Sequence, residues 1–123
     1  MIIELKTPLT TLNEYINAER RNKYIAHKIK RDNTNRVHNI ARVKKFNVPY
    51  GLYDVNFYWK KPNNKIDHDN IAFCKKFILD GLQASGAIQN DNPKVINNFT
   101  DSFELVKEVK FIWCVVEFVK VEK

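Results

Sequence analysis

Between Asn70 and Ala84 the apolar residues Ile71, Cys74, Ile78, Leu79 and Leu82 recur at helical spacing, and Gly86 follows as a C-terminal stop. A helix carrying such a stripe has to bury it against another layer. The surrounding sequence offers strands for that purpose. Leu52, Val55, Phe57 and Trp59 lie in a β-type run that ends in the polar loop Lys60 to Asn64. A second run lies near 94–106. A third spans Phe111 to Val119, where Ile112, Cys114, Val116 and Phe118 alternate with Trp113, Val115 and Glu117. Residues 2–6 read as a short strand closed by Pro8. Thr10 or Thr11 can then cap a helix along Leu12, Tyr15, Ile16, Ala26 and Ile29. Asp32 to Asn35 is poor helix material, so a break or kink is expected there, before a further helical pattern in Val37, Ile40, Ala41 and Lys44. Pro49-Tyr50-Gly51 reads as a turn. Strands and helices interleave without a regular βαβ period, which predicts an α+β fold with a mixed β-sheet packed with helices. No linker divides the chain. At 123 residues it is read as a single domain over 1–123, since two cores would each be too small.

Several classes are set aside by simple counts. The longest unbroken apolar run, Phe111 to Val116, is six residues, against the ~20 that span a bilayer. The opening Met1-Ile2-Ile3-Glu4-Leu5-Lys6 has no secretory h-region, and the two cysteines, Cys74 and Cys114, have no paired spacing. The expectation is a cytoplasmic protein with reduced thiols, no membrane partner and no zinc site.

Charge is distributed unevenly. Residues 1–65 hold 14 basic and 5 acidic side chains, whereas residues 66–123 hold 7 and 9. Ten cations cluster from Arg20 to Lys45 (Arg20, Arg21, Lys23, Lys28, Lys30, Arg31, Arg36, Arg42, Lys44 and Lys45) against one acid, Asp32. Solubility alone is served by surfaces of mixed sign. A clustered imbalance of this size points to a polyanion, with these ten residues as the candidate DNA-binding set.

Within the less basic half, Asp67-His68-Asp69-Asn70 and Asn90-Asp91-Asn92 carry the chemistry. On an extended segment Asp67 and Asp69 project from the same side, just before a helix whose N-terminal amides favour negative charge. Close carboxylates repel unless a cation neutralises them, and oxygen-only ligands select Mg²⁺ or Mn²⁺. Cations to hold phosphates and carboxylates to place a metal on the scissile one are the requirements of a nuclease. Simpler roles account for the same residues. Asp69 can be a helix N-cap, Asp67 a loop residue and Asp91 a turn residue. His68 faces the other way between the acids and reads as exposed, and Cys74 reads as core.

Taken together, these segments resemble a known family. Lys65 to Ile71 (Lys-Ile-Asp-His-Asp-Asn-Ile), Lys75 to Leu82 (Lys-Lys-Phe-Ile-Leu-Asp-Gly-Leu) and Gly86 to Ile96 resemble the linked motifs of the RusA family of Holliday junction resolvases. Leu12 to Ile16 and Thr100 to Phe103 look like its branch in phages and prophages of low-GC Gram-positive bacteria. The resemblance implies that Asp67, Asp69 and Asp91 bind Mg²⁺ (Mn²⁺ as a substitute) and that a lysine assists. The family often places that lysine one turn after the second aspartate, where this chain has Phe73. Lys76 instead keeps the four-residue spacing to Asp80, and a continuous helix would put it two turns from Asp69 on nearly the same face. Lys75 would be turned by ~100° toward the apolar stripe. Asn90 replaces the first acid of the turn motif.

The resemblance therefore implies a Mg²⁺-dependent endodeoxyribonuclease acting on four-way junction DNA, in a bacterial or phage-infected cell. Two symmetric incisions require two sites, which a homodimer supplies. A protein that binds branched DNA without cutting would share the basic stretch but has no use for the acidic triplet. A metal-dependent nucleotide hydrolase would give the clustered cations no role.

Overall fold

The computed structural model describes residues 1–122. The elements run in the order β1 (Ile2–Leu5), α1 (Leu12–Arg21), α2 (Lys23–Val43), β2 (Tyr53–Lys61), α3 (His68–Ala72), α4 (Lys75–Ala84), β3 (Ile96–Leu105) and β4 (Trp113–Lys120). Four strands form one mixed sheet in the order β1-β4-β2-β3. β1 and β2 each pair antiparallel with β4, while β2 and β3 run parallel. The expected α+β single domain with a mixed sheet is the architecture observed.

Alternation along the strands divides the sheet into two faces. Tyr53, Val55, Phe57 and Trp59 of β2 are buried, together with Cys114, Val116 and Phe118 of β4 and Ile3 and Leu5 of β1. They join Val37 and Ala41 of α2, Ile71 of α3, and Phe77, Ile78 and Leu82 of α4 in one core. The other face is mixed, with Ile2, Val115 and Val119 beside polar side chains. There Glu117 accepts hydrogen bonds from Asn56 (3.0 Å) and Tyr58 (2.8 Å), which hold its carboxyl below the usual carboxylate range.

Helix boundaries show where the sequence expectations need correction. Thr11 caps α1, and the Glu14 carboxylate accepts from its backbone N–H (3.1 Å) and its hydroxyl (2.9 Å). The expected break at Asp32 to Asn35 is absent, because α2 runs unbroken through it. Asn33 is buried, and its amide donates to the Ile29 carbonyl and to Thr10 Oγ1 while accepting from Thr10 N–H. Its polar groups are thus satisfied by the segment before α1, and they do not compete with the helix. The break falls instead at Asn22, whose backbone is extended (φ −167°, ψ 125°) and whose side chain accepts from Tyr24 N–H. The expected single helix over 70–84 is also two helices. Bonds from Cys74 to Ile71, Lys76 to Phe73 and Phe77 to Cys74 tighten the chain to i→i−3 geometry between them. Gly86 ends α4 as expected, with φ +81°.

Both cysteines are buried and unpaired, and burial pushes the Cys74 thiol up to about 12. α2 and α4 meet at Gly81. A Cβ there would lie 2.5 Å from Val37 Cβ and 2.8 Å from the Thr34 carbonyl. Gly81→Ala is therefore expected to lower stability by about 1–3 kcal/mol, the cost of overpacking, read as a drop in denaturation midpoint.

Candidate nucleic-acid and metal site

All ten clustered cations are exposed. Arg20 and Arg21 close α1, six more lie on α2, and Lys44 and Lys45 follow it. On α2 the buried residues Ala26, Asn33, Val37 and Ala41 occupy one arc. At ~100° per residue, Tyr24, Lys28, Arg31, Asn35 and Arg42 fall along the opposite side. They form a stripe about 27 Å long at ~1.5 Å per residue. Tyr24 is 84% exposed in the first turn, next to Arg20, Arg21 and Lys23. The sequence reading did not single it out, because a tyrosine at helical spacing reads equally well as core. Not every cation is free of the fold: Lys44 Nζ donates to the Glu4 carbonyl at 2.8 Å, and Arg36 reaches the Pro8 carbonyl at 3.5 Å.

Arg36 also lines a groove of about 300 Å³ whose other wall includes Pro62, Asn63 and Ile66, the segment leading into Asp67. The basic helix and the approach to the aspartate pair thus share one depression.

The carboxylates are placed differently from the sequence expectation. Asp67, and not Asp69, is the N-cap residue of α3; its backbone is extended and its side chain makes no capping hydrogen bond. Asp69 already lies in the first turn, where Oδ1 accepts from Asn70 N–H at 3.0 Å. The same-side argument for an extended Asp67–Asp69 pair therefore does not apply, since residues two apart in a helix point to different sides. His68 is exposed as expected, but in the helix and not on a strand. Its ring stacks on Phe103 (centroids 3.8 Å apart, 5° between planes). Nε2 stands 3.0 Å from Lys61 Nζ. An ammonium only donates, so Nε2 is the acceptor and Lys61 is held at His68, without forming an ion pair to either aspartate. Nothing in the spacing of the sequence marks Lys61 for that position.

Asp91 lies in the loop before β3, its N–H donating to Asn90 Oδ1 at 2.8 Å. One turn later, Val95 and Ile96 N–H groups bond the Asn92 carbonyl, anchoring this loop at the start of β3. Because β2 and β3 are parallel, the start of β3 sits beside the start of β2, whereas Asp67 follows the end of β2. At ~3.3 Å per strand residue, the two ends of β2 lie about 26 Å apart. A single copy of the chain does not bring Asp91 to Asp67 and Asp69. Among the described residues, no group of three His, Cys, Asp or Glu side chains is arranged to hold a metal ion.

The lysines are distinguished by their surroundings. Lys76 Nζ pairs with Asp80 at 3.2 Å, as the four-residue spacing predicts, and its side chain is exposed. The tightened turn before α4 removes the continuous-helix count that placed it on the face of Asp69. Lys75 is enclosed: its ammonium lies over the rings of Phe57 (5.0 Å) and Phe99 (4.6 Å) and pairs with Asp101 at 2.9 Å. Asp101 also accepts from Trp59 Nε1 at 2.8 Å. No protein-family model matches this chain, and no curated protein matches it in sequence.

Across residues 65–105 the ion pairs sort the acids. Asp80, Asp101 and Glu104 are paired to Lys76, Lys75 and Lys60. Among the described residues, Asp67, Asp69 and Asp91 have no such partner. Lys75→Ala is expected to destabilise the fold by about 1–2 kcal/mol by leaving Asp101 half-satisfied. Lys76→Ala should change stability by less than ~0.5 kcal/mol, as for an exposed helix pair. Denaturant midpoints with tryptophan fluorescence distinguish the two.

Proposed function

We propose that this chain is a Mg²⁺-dependent endodeoxyribonuclease that cuts four-way DNA junctions as a homodimer. The observation that carries the reading is the sorting of acids just described. In a chain of net charge +7, the three aspartates marked by the RusA resemblance are the acids of their region that have no cation partner among the described residues. Three carboxylates without an ion-pair partner among the described residues suit a hard divalent ion in donor chemistry, and Asp67, Asp69 and Asp91 would hold it. Bound there, Mg²⁺ (or Mn²⁺) would supply polarisation of a phosphoryl oxygen and activation of water.

The chain's own residues supply the rest. The α2 stripe and the Arg20–Arg21 pair grip phosphates, and Tyr24 offers a ring on which an unstacked base at a branch point can lie. Lys76, the exposed lysine of the pair, can leave Asp80 to neutralise charge on the scissile phosphate, whereas Lys75 is committed to Asp101. The separation of Asp91 from Asp67 and Asp69 gives the dimer a function: a reversed second copy brings its Asp91 end to the Asp67 end of the first. A non-cutting binder of branched DNA remains the rival, and cleavage decides between them.

With Mg²⁺, a synthetic four-way junction should be cut and linear duplex left intact. Asp67→Asn, Asp69→Asn and Asp91→Asn should each abolish cutting while binding is kept. Mixing Asp67→Asn with Asp91→Asn protein should restore part of the activity, because a mixed dimer keeps one complete site. Wild-type binding without cutting would instead establish the rival.

Binding should weaken with salt at a log–log slope of about −0.9 per phosphate contacted on duplex DNA. Replacing Lys28, Arg31 and Arg42 together should flatten that slope by two to three contacts. Tyr24→Ala should lose junction affinity by roughly tenfold, since base stacking is worth about 1–3 kcal/mol, with duplex affinity nearly unchanged. Equal losses on both DNAs would remove Tyr24 from branch recognition.

A further inference from the structure

β3 is an edge strand of ten residues, and among the described residues no strand pairs with its outer side. The ladder alternation identifies which backbone groups are left over. Val106 N–H bonds the Lys61 carbonyl, so residues 98, 100, 102 and 104 direct their groups toward β2. Phe99, Asp101, Phe103 and Leu105 therefore direct N–H and C=O outward. In agreement, the Phe99 N–H is taken up locally by Asn98 Oδ1 at 3.0 Å.

Exposed edges are commonly defended by charge, proline or shortness. This one is long and lacks proline. Its two acids are neutralised from within, Asp101 by Lys75 and Glu104 by Lys60. Its exposed large apolar residues are Phe99 (39%) and Leu105 (42%).

We infer that β3 pairs antiparallel with β3 of a second copy about a two-fold axis through Ser102, joining the two sheets into one of eight strands. The register follows from the side chains. With Ser102 opposite its own copy, Phe99 faces Leu105 of the other chain and Asp101 faces Phe103. The outward N–H and C=O groups from Phe99 to Leu105 then pair across the seam, the Phe99 N–H exchanging Asn98 Oδ1 for a ladder partner. Moving the axis to Asp101 would set two carboxylates against each other, which is unfavourable.

The same operation runs the second β3 in reverse beside the first. Its start, where Asp91 is anchored, then lies past Leu105, at the end of the sheet that carries Lys61, His68 and Asp67. β1, the opposite edge, has four residues and lies two strands away from this end of β2, so pairing there brings no aspartates together. The inference rests on the nuclease reading for its consequence, but the pairing itself does not.

The test uses the full chain. Ser102→Cys should form a covalent dimer on mild oxidation, because opposed residues at a non-hydrogen-bonded antiparallel site have Cα atoms ~4.5 Å apart, within disulfide range. Asn98→Cys, which faces Val106, should not. The native thiols are buried and do not compete. Phe99→Lys with Leu105→Lys should shift the sedimenting species from dimer to monomer, with circular dichroism unchanged, and should abolish junction cutting. A dimer that survives the double substitution, a wild-type monomer at high concentration, or failure of Ser102→Cys to cross-link would each overturn the pairing. A cross-linked dimer that binds but never cuts upholds the seam and removes the nuclease reading. A cutting enzyme indifferent to the edge substitutions does the reverse.

Discussion

The parallel pairing of β2 with β3 is the constraint from which the rest of the structure follows. Parallel neighbours cannot be joined by a hairpin, so the chain must leave the end of β2, cross the sheet and return to the start of β3. Here α3 and α4 make that crossing over the buried face, with Ile71, Ile78 and Leu82 in the same core as Phe57 and Trp59. The stripe that marks the helix in the sequence is the surface that makes the crossing stable. The sheet and the crossing are inseparable, because neither β2 nor the α4 stripe can be buried without the other.

The same crossing determines where the acids go. Asp67 and Asp69 stand where the chain leaves the sheet and Asp91 where it re-enters, so residues in one stretch of sequence end on opposite sides of the domain. The placement assigns different work to two adjacent lysines as well. Lys75 is drawn under Phe57 and Phe99 to Asp101, where a charge in a partly apolar setting needs its partner, while Lys76 remains at the surface. α2 is held against α4 through the close approach at Gly81, which turns its basic side outward.

Much of the fold was legible because periodicity reports burial directly. The alternation around Cys114, Val116 and Phe118, the stripe on α4 and the stop at Gly86 each correspond to an element seen in the structure. The expected kink at Asn33 failed for a definite reason. Helix propensity treats asparagine as a competitor of its own backbone, but Thr10, 23 residues away, supplies its partners. The expectation that Asp67 and Asp69 share one side failed because the helix begins at His68, two residues earlier than an extended Asp67–Asp69 segment requires. The basic character of 20–45 was plain in the composition. The stripe containing Tyr24 was not, since it depends on which side of α2 the core occupies.

By itself the sequence determined quantities that are local or additive: where strands and helices lie to within a few residues, that one mixed α+β domain forms, that positive charge concentrates before Lys45, and which residue types are available for metal and phosphate. Only the tertiary structure decided what depends on contacts between distant segments. It buried Asn33 without breaking a helix, enclosed Lys75 while leaving Lys76 free, stacked His68 on Phe103, and parted Asp91 from Asp67 and Asp69. The physical reason is that spacing along a chain specifies direction only within one regular element. Across a strand crossing, direction is set by the pairing of the strands, and that pairing is a property of the whole sheet.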